Sequence, residues 1–81
     1  MTGALDGARV VVTGGAGNVG SHIVDAAIAA GAREVVALDA LVRGVPENLD
    51  AALRSGKASL RELDIRDREA VAVSIDGADV I

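Results

Sequence analysis

Eight consecutive residues hold the chemistry most legible in this sequence: Thr13, Gly14, Gly15, Ala16, Gly17, Asn18, Val19 and Gly20. None is an acid or a base, so the segment offers main chain rather than side chains. They fall between a short apolar run and an amphipathic stretch, where a strand would turn into a helix. Bare main chain at a helix start suits an anion, because unpaired N–H donors and the positive end of the helix dipole converge there. The pyrophosphate of a dinucleotide is such an anion, and side chains in its path would hold it away. In this reading Gly14 permits the sharp strand exit and Gly17 lets phosphate touch the backbone. Gly20 lets the helix lie close to the strands, and Asn18 offers its backbone N–H. The plain alternative is a flexible turn that binds nothing. A P-loop is excluded: Gly15 and Gly20 have its outer spacing, but Ser21 and His22 follow where Lys and then Ser or Thr are required.

Two acids extend the pattern. Asp39 stands at the carboxyl end of the next apolar run, 19 residues past Gly20. A carboxylate there accepts hydrogen bonds from both adenosine ribose hydroxyls and repels a 2′-phosphate, which favours NAD over NADP. Arg43 works against that preference, since an arginine four residues on could host the phosphate; its alternative role is a solvated loop charge. Asp64 and Ile65 follow the third run, where the carboxylate could accept the adenine amino group and Ile65 pack on the ring. The alternative is that Asp64 merely opens a turn whose helix cap is Asp67. His22 falls on a polar helix face and is expected in solvent, without a catalytic role.

The elements that must position these residues alternate regularly. Residues 8–13 form a strand apolar on both faces, which belongs inside a parallel sheet. Val19, Ile23, Ala26, Ala27 and Ala30 recur at helical spacing, with Ser21, His22 and Asp25 off that stripe and Gly31 as the left-handed stop. Residues 34–39 make a second buried strand. Pro46 opens a helix to about residue 55, with Gly56 after it. Residues 58–63 form a weaker third strand, Asp67 caps a third helix to about Ser74, and residues 78–81 begin a fourth strand. The order βαβαβαβ with right-handed crossovers gives a Rossmann-type doubly wound parallel sheet, strand order 3-2-1-4, truncated in strand four. With two helices on one face and one on the other, Val10 to Val12 are expected to lack much of their second cover. The sequence therefore reads as the amino-terminal part of a longer chain or a deliberate fragment.

Composition narrows the rest. The chain has 81 residues, no cysteine, one histidine, no aromatic residue and a net charge of −4. Disulfides and thiolate metal sites are excluded, and one histidine assembles no metal cluster. An acidic chain without aromatic rings is a poor partner for nucleic acid. No uncharged apolar run approaches the ~18 residues of a membrane span. Residues 1–7 have neither a basic start nor an apolar run, so the expected location is cytoplasmic.

Thr13 to Gly20 with Ser21 and His22 resembles the TGGAGxxGSH signature of extended short-chain dehydrogenases/reductases, the NAD-dependent epimerase/dehydratase family. The likeness continues through Asp39, Arg43-Gly44, Glu47-Asn48-Leu49, Asp64-Ile65-Arg66-Asp67 and the final Gly77 to Ile81. It covers nearly the whole chain and is specific for the cofactor half, not for a substrate. The resemblance implies that Gly14, Gly17 and Gly20 form the phosphate turn, that Asn18 and Val19 supply its donors, and that Asp39 meets the ribose and Asp64 with Ile65 the adenine. The family often has an aromatic residue where Asn18 stands. It also implies a sugar-nucleotide substrate for the longer parent, with a homodimer as the expected assembly. The family's chemistry needs a Tyr-x-x-x-Lys pair. This chain has no tyrosine and a single lysine, Lys57, so residues 1–81 alone are not expected to transfer hydride, and the substrate domain lies outside them.

Two alternatives stay open. Gly15 to Gly20 also fits the GxGxxG of lactate and malate dehydrogenases, although Gly14 supplies one glycine more than those turns carry. The chain could also be a stand-alone or engineered nucleotide-binding module without catalysis, with S-adenosylmethionine as a further ligand.

Overall fold

The computed structural model describes residues 4–42 and 44–79. Strand β1 (Arg9–Thr13) leads through the glycine turn into helix α1 (Asn18–Ala29), and strand β2 (Glu34–Asp39) follows. A 3-10 turn (Pro46–Leu49) runs directly into the short helix α2 (Asp50–Arg54), so the expected single helix is two pieces. Strand β3 (Ala58–Glu62) and helix α3 (Arg68–Ile75) complete the order. The strands are parallel and lie in the order β1-β2-β3, with Val11 opposite Val36 and Val36 opposite Ser59. This is the Rossmann-type arrangement, the 3-2-1 part of the doubly wound order.

Alternation along each strand sorts side chains between two layers. Val10, Val12, Val35 and Ala37 join Val24 and Ala27 of α1, Leu49 and Ala52 in one core. Val11, Val36 and Leu38 point to the other side, where Leu63, Ile75 and Ala78 pack on them. The expectation that Val10 to Val12 would lack a second cover is therefore corrected, since Val11 is 1% exposed. Its cover comes from the carboxyl end of α3 and from the chain just after it. A buried valine contributes roughly 1.5–3 kcal/mol relative to an exposed one.

The inward face of α1 also needs correction. Ser21, Val24 and Ala27 are the buried residues, whereas Val19 and Ile23 are 73% and 49% exposed. Only Ala27 of the expected stripe lies inward. The many alanines of α1 make the apolar stripe wide, and the glycine turn fixes where the helix begins and hence which side it presents. Gly31 adopts φ +97° after the helix, as its stop requires.

The expected fourth strand is not formed among the described residues, of which Asp79 is the last. Its N–H donates to the Arg9 carbonyl at 2.8 Å, and its carboxylate accepts from the Arg9 N–H at 2.9 Å. Asp79 thus lies beside β1; residues 80 and 81, on which the rest of the expected fourth strand falls, lie outside the described residues. Arg9 extends the joint, with its guanidinium donating to Glu34 Oε2, Ser74 O and Asp76 O. The guanidinium thereby meets the carbonyls at the negative end of α3.

Candidate functional site

Parallel strands bring their carboxyl ends to one edge, and the glycine turn, Asp39 and Asp64 all follow such ends. The turn is tied to that edge: Gly14 N–H donates to Leu38 O at 2.7 Å, and Leu63 N–H to Asp39 O at 3.1 Å. The three predicted elements of the site therefore share one rim of the sheet.

Within the turn the glycines answer different needs. Gly14 has φ +68°, a left-handed conformation that reverses the chain directly after β1. A Cβ on Gly15 would stand 2.5 Å from the Ala37 Cβ, and one on Gly20 would collide with the Gly14 carbonyl oxygen. Gly17 differs. It has ordinary extended backbone (φ −76°, ψ 172°), and a Cβ there would meet only Gly14 O at 3.3 Å. Gly14, Gly15 and Gly20 are thus required by the fold itself, while a Cβ at Gly17 asks only that the Gly14 carbonyl give by a few tenths of an ångström.

Gly17 is also the cap residue of α1, and it supplies no side-chain acceptor. No acid stands in the first turn of that helix. Its positive end is uncompensated, and the first N–H groups, those of Asn18 and Val19 among them, have no partner within the helix. Helix α3 is the opposite case: the Asp67 carboxylate accepts from Ala70 N–H at 3.1 Å and Glu69 sits in the first turn. A bare helix start of this kind suits an anion. Asn18 and His22 are exposed, and Ser21 is buried with its hydroxyl donating to Asn18 O at 3.2 Å.

Asp39 ends β2 as expected but is only 9% exposed. Its Oδ2 accepts from Ala16 N–H at 2.9 Å and its Oδ1 from Leu41 N–H at 2.7 Å. The acid thus braces the glycine turn, a task the sequence reading did not assign to it. A carboxylate has about four acceptor positions, so two remain for hydroxyl groups. Leu41, just after it, takes the left-handed φ of 60°, rare for a residue with a side chain. Arg43 lies outside the described residues.

Asp64 is half-exposed and occupied by a neighbour. Arg66 donates through Nε to both carboxylate oxygens (3.1 and 3.0 Å), through Nη2 at 2.6 Å, and through its backbone N–H at 2.8 Å. These bonds hold the Asp64 pKa at about 2, below the usual 3.8, with the guanidinium hydrogen bond as the main cause. Ile65 is 61% exposed, an apolar surface free to meet a flat ring. An open groove of about 720 Å³ between β3 and α3, lined by residues such as Arg61, Asp67 and Val73, shares no residue with the turn. Among the described residues, no cluster of His, Cys, Asp and Glu could hold a metal, and no helix is long and apolar enough to cross a membrane.

Two residues went unassigned in the sequence reading: Ala16, buried at the centre of the turn, and Asn48, whose Nδ2 donates to Ala16 O at 2.8 Å. The signal for Asn48 was its place in the Glu47-Asn48-Leu49 stretch, although nothing in the spacing says that it reaches back 32 residues.

The sequence pattern of the NAD dependent epimerase/dehydratase family matches residues 10–81. UDP-glucuronic acid decarboxylase 1 of Arabidopsis thaliana is 56% identical over 41 residues, which is 51% of this chain and 9% of that protein. Among solved structures, the Bordetella bronchiseptica enzyme WbmF in complex with NAD+ superposes with a TM-score of 0.80 at 30% identity, over 94% of this chain and 22% of its own. WbmF is also known in complex with NAD+ and UDP. The epimerase Mth375 of Methanothermobacter thermautotrophicus gives a TM-score of 0.82 at 34% identity, over 95% and 22%. The chain thus spans about a fifth of the length of these solved neighbours and less of the curated relative.

Proposed function

The chain belongs to the NAD dependent epimerase/dehydratase family, and from that premise we propose that it forms the NAD(H)-binding portion of a sugar-nucleotide epimerase/dehydratase-like oxidoreductase. The observation that carries this reading is the uncapped start of α1 behind a turn with no side chain at Gly17. NAD, when bound, would supply reversible hydride acceptance. The residues of this chain bind and orient it. The N–H groups of Asn18 and Val19 meet the pyrophosphate, with Gly14, Gly17 and Gly20 shaping the approach. Asp39 uses its free lone pairs for the ribose hydroxyls and disfavours a 2′-phosphate, so NAD is preferred to NADP. Ile65 packs on the adenine, and Asp64 accepts its amino group beside Arg66. WbmF supports the reading, because its matching fold holds NAD+ and, in a second complex, UDP as well.

In the proposed whole protein the groups that move the substrate proton lie outside residues 1–81, since the chain contains no tyrosine. The family match sets aside the lactate/malate-type alternative. Titration of the full chain with NAD, NADP and S-adenosylmethionine by ligand-observed NMR tests the proposal. NAD binding with weaker NADP is expected. Binding of S-adenosylmethionine alone, or of none of the three, would overturn it.

A further inference from the structure

Ala16 is 0% exposed, and both of its peptide groups are gripped by the connection between β2 and α2. Its N–H donates to Asp39 Oδ2 at 2.9 Å. Its carbonyl accepts from Val45 N–H at 3.1 Å and from Asn48 Nδ2 at 2.8 Å. Gly44 closes against the same place: a Cβ there would stand 2.6 Å from Asp39 Oδ2 and 2.9 Å from the Ala16 carbonyl carbon. A glycine-rich turn has little side-chain packing to define its shape and loses more conformational freedom on ordering than other sequences do. Donors aimed at an anion bind it well only when they are ordered beforehand.

The peptide plane makes the grip directional. Because the unit is planar and trans, fixing the Ala16 carbonyl also fixes the plane of the Gly17 N–H, which donates to the Gly14 carbonyl at 3.1 Å and so closes the turn. Asp39 holds the preceding plane and Asn48 the following one, so the entry to α1 is oriented from both sides. Asn48 is otherwise an exposed residue on the 3-10 turn, and this is its one side-chain bond among the described residues.

We propose that Asn48 is a positioning residue for the phosphate-binding turn, acting on bound diphosphate through the Ala16–Gly17 peptide. This rests on the reading of that turn as the pyrophosphate site. Asn48→Ala leaves the Ala16 carbonyl its bond from Val45, so the fold survives while the turn loosens. Asn48→Asp keeps the shape and removes the donor.

The test compares wild type, Asn48→Ala and Asn48→Asp in the full chain, titrated with NAD, ADP and adenosine by ligand-observed NMR, with circular dichroism as the check on folding. Expected for Asn48→Ala is a three- to tenfold weaker affinity for NAD and ADP, about the worth of one hydrogen bond, with adenosine unchanged. Asn48→Asp should bind NAD no better than Asn48→Ala. Wild-type NAD affinity in either variant, adenosine weakening in step with ADP, or a variant unfolded at the titration temperature would overturn the positioning role. A wild-type chain that binds neither NAD nor ADP would instead overturn the cofactor reading beneath it.

Discussion

Substituting Gly17 and Gly20 in parallel separates access to the turn from the integrity of the turn. At Gly17 the backbone is already extended and a Cβ meets a single atom at 3.3 Å. A side chain at this cap position costs up to about 1 kcal/mol, and the stiffer unfolded chain returns about 0.4–1 kcal/mol. Gly17→Val should therefore shift stability by no more than about 1 kcal/mol, or roughly 4–8 °C in Tm for a domain of this size. It should also stand in the path of the pyrophosphate. Loss of two charge-assisted hydrogen bonds at about 1.5–3 kcal/mol each weakens NAD more than about a hundredfold. Gly20→Ala is the reverse case. Its Cβ would fall on the Gly14 carbonyl and lie 3.0 Å from the Gly15 Cα, so the turn must open, at a cost of about 3 kcal/mol or roughly 12–24 °C. Circular dichroism follows the melt, because the chain has neither tryptophan nor tyrosine to excite. Unchanged NAD affinity in Gly17→Val would place the phosphates elsewhere, and a wild-type Tm in Gly20→Ala would refute the close approach inferred for the turn.

Asp39→Ala should weaken NAD by about 1–3 kcal/mol and narrow the gap to NADP. It should also lower stability by about 2–4 kcal/mol, because the Ala16 and Leu41 N–H groups both lose their acceptor. A variant that rejects NADP as strongly as wild type removes Asp39 from the ribose, and one with an unchanged melt removes it from Ala16. For Asp64 the folded pKa lies below the usual value, so the stabilisation from Arg66 is fully present above about pH 3.8 and is lost as pH falls through about 2. Carboxyl chemical shifts should titrate accordingly, and Arg66→Ala should return the midpoint towards 3.8; a midpoint that stays near 2 would assign the shift to another cause.

Much of this was legible in the sequence. Runs of Val beside Gly-rich turns specify parallel strands wherever they occur, and Pro46, Gly31, Gly56 and Asp67 mark helix ends by local chemistry that needs no tertiary context. The catalogue of residues on the carboxyl rim was legible for the same reason, since each follows a strand. The face of α1 was not, because alanine satisfies several stripes equally and burial is decided by how the turn delivers the helix. The second layer over Val11 was missed because it comes from Ile75 and Ala78 at the end of α3 rather than from a whole helix. The bonds of Asp39 and Asn48 to Ala16 were beyond reach as well. They depend on the path of a long connection, and spacing does not encode that path.

The double employment of Asp39 constrains how this chain can diverge. In the proposed site one carboxylate both selects the cofactor and props Ala16, so a lineage that replaced it to admit a 2′-phosphate would slacken its anion cradle in the same step. A second substitution restoring an acceptor for the Ala16 N–H would have to accompany the first. Change of cofactor here is thus an epistatic, two-site event, and single replacements at this position lead first through a poorer binder of both dinucleotides.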